Sequence, residues 1–139
     1  FESVKSLHTK LFIGKRAPLY CTAVGKAILA FLPESERERL ANSLQLVRHT
    51  SKTITNKDIL REELANIRSR GTAIDSGENE DGVVCVGAPI FDSSKEVVAS
   101  ISISGPVFRM GGEVMERYSE LLREVVSRIS FALGYRVDV

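Results

Sequence analysis

The chain has only two cysteines among its 139 residues, Cys21 and Cys85. Two thiols so far apart exclude both a disulfide framework and the usual spacing of a zinc site, so we expect free thiols in a reducing compartment. The two histidines, His8 and His49, have no carboxylate or cysteine at metal-ligand spacing. No metal ion and no other cofactor is therefore expected.

An excess of charge of one sign is also lacking, because 19 basic and 18 acidic residues give a formal net charge of +1. Such a balance leaves no large basic surface, so this chain alone is not expected to bind nucleic acid. No apolar run approaches the roughly 20 residues that span a bilayer, and residues 1–5 lack the plan of a signal peptide. We predict one cytoplasmic domain over residues 1–139, without membrane contact, and a fragment of a longer protein because it begins at Phe1.

Hydrophobic periodicity predicts both helices and strands, and the strands are not separated by helical crossovers. The turn at residues 92–95 joins two strands, which indicates an antiparallel hairpin. The predicted fold class is therefore α+β, with an antiparallel sheet flanked by helices. The main predicted elements are a strand at residues 7–13, a helix at 22–31, a helix at 56–70, strands at 72–75, 83–91 and 97–105, and a helix at 112–133.

The strand at residues 97–105 organises the predicted site, because its two faces differ. Side chains alternate along a strand, which places one valine and three serine side chains opposite an aliphatic face. A buried hydroxyl needs a hydrogen-bonding partner, which protein, water or a ligand could supply. The aliphatic face comprises Val97, Ala99, Ile101 and Ile103, and the other face comprises Val98, Ser100, Ser102 and Ser104.

A helix start at residues 22–26 is a second candidate feature. Thr22 is a plausible N-cap, and Gly25 in the first turn leaves room for another group near free backbone N–H donors. Such donors and the helix dipole favour an anion, for example a metabolite carboxylate. Many helices begin this way, so the feature alone does not identify a site.

Three further groups allow two interpretations each. Cys85 is either a catalytic nucleophile, which requires a nearby base such as His8 or His49, or a buried small apolar residue. Asp75 follows an apolar strand, where its carboxylate either forms a turn or contacts a ligand. The acidic residues of the segment 76–82 are expected either to form a solvated loop or to hold an adventitious cation with their oxygen atoms; they are Glu78, Glu80 and Asp81.

Several separated motifs, in order, resemble the effector-binding domain of the IclR family of bacterial transcriptional regulators. The resemblance extends from about Leu7 to Tyr135. The motifs are RAPLY at 16–20, TAVGKAILA at 22–30, RG at 70–71 with ID at 74–75, GVVCV at 82–86 with APIFD at 88–92, and ISISGP at 101–106.

The resemblance implies a GAF-like sheet in a regulator whose N-terminal winged helix-turn-helix, absent from this chain, binds an operator. It also implies a small organic acid as effector and a homodimer or homotetramer as the assembly. The first part of the effector domain is expected to be absent as well. The effector-binding positions of the family are matched here by Ala23, Val24, Asp75, Cys85, Ser102 and Ser104.

The chain departs from the family pattern at two places. Residues 76–77 are Ser-Gly where relatives often continue with acidic residues, and residues 110–112 are Met-Gly-Gly where a Thr or Ser helix cap is usual. We predict a non-catalytic sensor domain that modulates operator binding by the attached domain. The alternatives are a small enzyme that uses Cys85 and a domain that serves only for oligomerisation.

Overall fold

A computed structural model describes residues 12–138. Within these residues the chain forms four α-helices and one three-stranded antiparallel sheet, which confirms the α+β prediction. The elements are α1 (Ala23–Phe31), α2 (Glu34–Ser43), α3 (Lys57–Arg70), β1 (Ala73–Ser76), β2 (Val83–Phe91), β3 (Val97–Pro106), a 3-10 turn (Val107–Arg109) and α4 (Gly112–Ala132).

The sheet has the order β1-β2-β3, and both pairings are antiparallel. β2 and β3 form the predicted hairpin. Their register shifts by one residue between Ile90 and Phe91, so Val97 lies opposite Phe91. The predicted alternation therefore holds from Ala99 onward. Val97 lies on the opposite face from the one predicted, because one extra residue in a strand turns the residues before it to the other face of the sheet.

One face of the sheet packs against α4. The alternate β2 residues Val86, Ala88 and Ile90 are buried there with Leu122 and Val126 of the helix. Aliphatic residues of β3 add to the same core, as the predicted aliphatic face requires; they are Ala99, Ile101 and Ile103. The hydrophobic effect of burying this surface fixes which side of each strand faces α4, and hence which side remains for a site.

The opposite face of the sheet lies against α1. Gly87 makes this close approach possible, because a Cβ atom there would lie 2.9 Å from both the carbonyl carbon and the carbonyl oxygen of Ala23. A second core continues from α1 towards α3 and includes Leu29, Leu60 and Ile67. The start of α1 is thus fixed directly above the middle of β2.

Helix starts follow the local sequence signals closely. The Thr22 side chain accepts the Gly25 N–H at 3.0 Å and so caps α1. Asn56 caps α3 by accepting the N–H groups of Asp58 and Ile59, at 2.9 and 3.1 Å. Gly111 precedes α4 without a side-chain cap bond, in line with the departure noted in the sequence.

Replacing Asn56 with Ala should lower the free energy of unfolding by about 1 kcal/mol, since two first-turn N–H groups of α3 lose their acceptor. Urea denaturation monitored by circular dichroism measures the change. Asn66→Ala, at an exposed position within α3 whose side chain has no hydrogen-bond partner among residues 12–138, is the comparison for a general effect of removing an amide. An Asn56→Ala midpoint equal to that of the unmodified chain contradicts the capping role.

The strand predicted at residues 7–13 lies largely outside the described residues. Its last two residues, Phe12 and Ile13, are exposed and are not in a strand, and Gly14 follows in a turn with a φ of 88°. In the part of the chain that the structure describes, none of the helices combines the length and the apolar character that crossing a membrane requires.

Candidate functional site

A small cavity opens between the start of α1, the loop after β1 and the exposed face of β2 and β3. Its volume is about 70 Å³, several times the roughly 10–15 Å³ that one water molecule needs. All six residues predicted from the sequence to bind an effector line it. The full lining comprises Lys15, Ala17, Thr22, Ala23, Val24, Asp75, Asn79, Glu80, Val83, Cys85, Ser102 and Ser104.

The first turn of α1 supplies backbone donors to this cavity. The Thr22 hydroxyl takes the N–H of Gly25, and the Thr22 carbonyl takes the N–H of Lys26 at 2.9 Å. The N–H groups of Ala23 and Val24 have no hydrogen-bond acceptor among residues 12–138, as expected of the first positions of a helix. The helix dipole adds partial positive charge at the same place.

Gly25 does not leave room for a bound group near the helix start, as the sequence suggested. A Cβ atom at this position would lie 2.3 Å from the Pro18 carbonyl oxygen and 2.6 Å from the Leu19 Cα. The group that comes close to the glycine is therefore the chain's own backbone. The fold of residues 18–22 over the helix start, including the 2.6 Å bond from the Thr22 hydroxyl to the Pro18 carbonyl, depends on this contact.

The sheet supplies a row of polar side chains across its three strands. Asp75 on β1 pairs with Cys85 on β2, which pairs with Ser104 on β3. Directly paired residues on one face of an antiparallel sheet have neighbouring side chains, so the carboxylate, thiol and hydroxyl form one line along the cavity floor. Ser102 lies in the next row, opposite Gly87.

The serines of β3 do not all have the same kind of partner. Ser100 donates its hydroxyl to the Val24 carbonyl at 2.9 Å, which ties β3 to the first turn of α1. Ser104 is half-buried and Ser102 is exposed at the cavity. The Ser100 hydroxyl therefore holds β3 against α1, whereas Ser102 and Ser104 border the cavity.

Cys85 lacks the surroundings of a reactive thiolate. Burial raises the pKa of its thiol, and Ser104 offsets only part of that rise by donating towards the sulfur. The Tyr20 hydroxyl donates to the Val47 carbonyl at 2.7 Å and so accepts from His49 Nε2 at 3.1 Å, and His49 does not line the cavity. His8 lies outside the described residues. A nucleophilic cysteine needs a lowered pKa and a base, so Cys85 has the character of a cavity wall.

Asp75 is 4% exposed, and its carboxylate forms a turn with the following loop. Its Oδ1 accepts the Glu78 N–H at 2.7 Å. Burial raises the pKa of this carboxyl group, whereas the Glu78 N–H and the Lys26 charge act in the opposite direction. The turn interpretation of Asp75 is thus observed, and the carboxylate also borders the cavity.

The expectation of a solvated acidic loop is wrong for Glu78. This side chain is buried and accepts two hydrogen bonds from the Lys26 ammonium, at 2.7 and 3.1 Å. Lys26 is itself 1% exposed and also donates to the Ile74 carbonyl at 2.6 Å. Glu78 faces inwards because the buried Lys26 ammonium on α1 attracts its carboxylate, whereas Asp81 of the same loop is exposed. Among residues 12–138 no group of three or more potential metal ligands occurs.

Two threonine side chains hydrogen-bond to the backbone of the same loop. Thr50 donates its hydroxyl to the Gly77 carbonyl, and Thr53 donates to the Glu78 carbonyl, both at 2.6 Å. Cys21, whose thiol pKa burial raises to about 12, donates to the Asn79 side chain at 3.6 Å. These contacts fix the backbone of the loop that supplies Asn79 and Glu80 to the cavity.

Sequence reasoning found the six predicted residues but missed Asn79 and the structural role of Lys26. A lysine in an amphipathic helix is usually solvated, and the acidic partners of Lys26, Glu63 and Glu78, lie 37 and 52 positions later in the chain. Such long-range pairing leaves no local pattern. Lys15 and Glu80, which the sequence did not indicate as site residues, border the cavity as well.

Comparison with known proteins decides the family. The model of the C-terminal domain of the bacterial transcriptional regulator IclR matches residues 1–131. The chain belongs to the IclR family. Among curated IclR-family relatives, the regulator KdgR of Escherichia coli K12 is 34% identical over 134 residues, which cover 96% of this chain and 51% of KdgR.

Solved structures of IclR-family proteins have the same fold. The IclR protein of Thermotoga maritima is 44% identical, with a TM-score of 0.93 over 97% of this chain and 55% of that one. The repressor BlcR of Agrobacterium tumefaciens is 35% identical, with a TM-score of 0.84 over 91% of this chain and 51% of that one. The chain thus spans about half the length of these relatives, and they are transcriptional regulators by name.

Proposed function

We propose that this chain is an effector-sensing domain that binds a small organic acid in the cavity beside α1. The observation that carries the proposal is the convergence of helix-start donors and strand hydroxyls on one small cavity. The Ala23 and Val24 N–H groups would hold the carboxylate, since a helix N-terminus favours an anion. Ser102, Ser104 and Asp75 would bond its remaining oxygens.

The rest of the proposal concerns the whole regulator. An attached N-terminal winged helix-turn-helix would bind the operator, so DNA contacts lie outside this chain. The regulator would act in the cytoplasm as a homodimer or homotetramer. The acid would change operator binding by preferring one arrangement of that assembly, because a ligand shifts an equilibrium only by its differential affinity. Membership of the IclR family supports this part.

The site assignment predicts that the double substitution Ser102→Ala and Ser104→Ala weakens binding of the acid about tenfold or more. Two hydrogen bonds to the ligand are lost, at about 0.5–1.5 kcal/mol each. A thermal-shift screen against glyoxylate, pyruvate, sugar acids and aromatic acids first finds a ligand. Binding to the folded state alone adds about 2.7 kcal/mol of stability at a hundredfold excess over Kd.

The matched control removes two hydroxyls away from the cavity, at the exposed positions Ser94 and Ser127. This control variant should bind the acid as the unmodified chain does. Equal affinities of the two double variants contradict the role of Ser102 and Ser104. A screen in which no acid shifts the melting temperature contradicts the proposed function itself.

A further inference from the structure

The strand β1 lies at one edge of the sheet in the part of the chain that the structure describes, because the strand order is β1-β2-β3. The N–H and C=O groups on the outer side of an edge strand have no strand beside them, so another chain can pair with them. An open groove of about 440 Å³ borders Ile74 and Ser76 of β1, and its other walls come from α3 and the segment before it. This edge therefore has room for a further strand.

The register of the sheet shows which backbone groups of β1 point outwards. Val107, which follows β3, donates its N–H to the carbonyl of Gly82, which precedes β2, at 2.8 Å. Backbone groups alternate in direction along a strand, so the even-numbered residues of β2 bond to β3 and the odd-numbered ones to β1. Odd-numbered residues of β1 lie opposite odd-numbered residues of β2. Ile74 and Ser76 consequently direct their backbone groups towards the groove.

The buried ion pair of Lys26 and Glu78 meets these outward groups. Lys26 donates to the Ile74 carbonyl at 2.6 Å and to the Glu78 carboxylate at 2.7 Å. Burial raises the pKa of Glu78, while the Lys26 charge and a hydrogen bond from the Ser76 N–H oppose the rise. The pair thus provides β1 with one donor and one acceptor, which are the groups that a neighbouring strand provides.

Further groups protect the same edge. The hydroxyls of Thr50 and Thr53 bond to the carbonyl groups of the loop that follows β1. Lys52 and Arg70 add two positive charges to the walls of the groove. A short strand flanked by charged side chains is a common protection against pairing at a sheet edge, and β1 has only four residues.

We propose that the Lys26–Glu78 ion pair takes the place of a neighbouring strand at the free edge of β1 and so prevents a second copy of the chain from pairing there. Without the pair, the Ile74 carbonyl and the Ser76 N–H would lose their partners. The β1 strand of a second copy, running antiparallel, offers the same two groups across a two-fold axis. Such pairing would join two three-stranded sheets into one. The inference involves no ligand, so it does not depend on the proposed function.

Sedimentation velocity on the double variant Lys26→Met and Glu78→Met tests the proposal, because both partners of β1 are removed and no unpaired charge is left. Its average mass should be at least about double that of the unmodified chain at the same concentration, and should rise with concentration. Glu36→Met with Arg39→Met removes an exposed ion pair of 3.8 Å and should leave the mass unchanged. A Lys26 and Glu78 double variant with the mass of the unmodified chain overturns the proposal.

Adding Ser76→Pro to the double variant separates edge pairing from association at any other surface. Proline has no N–H to offer a second strand, and it is tolerated on the outer side of an edge strand. The mass should return to that of the unmodified chain; a mass that stays high overturns the proposal. If circular dichroism shows that the double variant is unfolded, Glu78→Ala replaces it, because Lys26 keeps Glu63 at 3.4 Å while the Ser76 N–H loses its acceptor. The same outcomes then decide.

Discussion

Replacing Lys26 with Met should lower the free energy of unfolding by about 3–5 kcal/mol, the cost of leaving one member of a buried ion pair without its partner. Glu78 would remain buried with no cation in contact, and the Ile74 carbonyl would lose a donor at 2.6 Å. Urea denaturation at pH 7 measures the loss. Arg39→Met is the matched control, because Arg39 and Glu36 form an exposed pair at 3.8 Å, for which the expected change is below about 1 kcal/mol.

The double substitution Lys26→Met and Glu78→Met separates the ion pair from general packing. Removing both charges takes away the uncompensated carboxylate, so we expect the double variant to recover at least half of the lost stability. A double variant as unstable as Lys26→Met alone would mean that the aliphatic stem of Lys26, and not its charge, is what matters. In that event the loop would be held chiefly by Thr50 and Thr53.

The effect of Lys26→Met should also depend on pH. Burial raises the pKa of Glu78 above its ordinary 4.5, and the Lys26 charge opposes the rise, so removing Lys26 raises this pKa further. The folded variant then takes up a proton at a higher pH than the unfolded chain does. Its deficit relative to the unmodified chain is greatest above the raised pKa, and it shrinks as the pH falls through that value towards the pKa that Glu78 has in the unmodified chain. A deficit that stays constant between pH 7 and pH 5 contradicts this account.

Gly25→Ala should be the second severe substitution, with a loss of about 3 kcal/mol, at the upper end of the usual cost of overpacking. The new Cβ would meet the Pro18 carbonyl oxygen at 2.3 Å and the Thr22 hydroxyl at 2.6 Å. Relief requires the start of α1 to move away from residues 18–22. The Ala23 and Val24 donors would move with it, so affinity for the acid should fall as well.

Gly112→Ala is the control for helix propensity, because nothing lies within 4 Å of a Cβ at that position. Alanine is the better helix former, so this variant should be as stable as the unmodified chain or slightly more stable. Thermal melts of both variants, with and without the acid that the screen identifies, test the prediction. Gly25→Ala with unchanged stability would show that the backbone of residues 18–22 yields easily.

Local patterns predicted the elements of this fold well. Thr22 and Asn56 stand where a cap is needed, and their side chains bond first-turn N–H groups. Strand alternation placed Ser102 and Ser104 on the face opposite the α4 core, since period-two patterning depends only on neighbouring residues. The resemblance to IclR regulators then assembled distant segments into one site, which periodicity alone does not do.

Interactions between distant segments could not be predicted in the same way. The burial of Glu78 depends on Lys26, which is 52 positions away in the chain. Thr50 and Thr53 lie in an irregular segment whose sequence suggests only a loop, and their partners are carbonyl groups, which every residue carries. The shift of register between Ile90 and Phe91 likewise has no signal in the residue types of the two strands.

The fixed backbone of the loop after β1 has a consequence for how ligand preference can diverge among such domains. Buried partners hold the main chain of Gly77 and Glu78 and the side chain of Asn79, while Glu80 borders the cavity with no side-chain hydrogen bond among residues 12–138. Evolution can therefore exchange the residue at position 80 without rebuilding the frame beneath it. Specificity and stability reside in neighbouring but separate residues of one short segment, so a single substitution can alter the rim of the cavity.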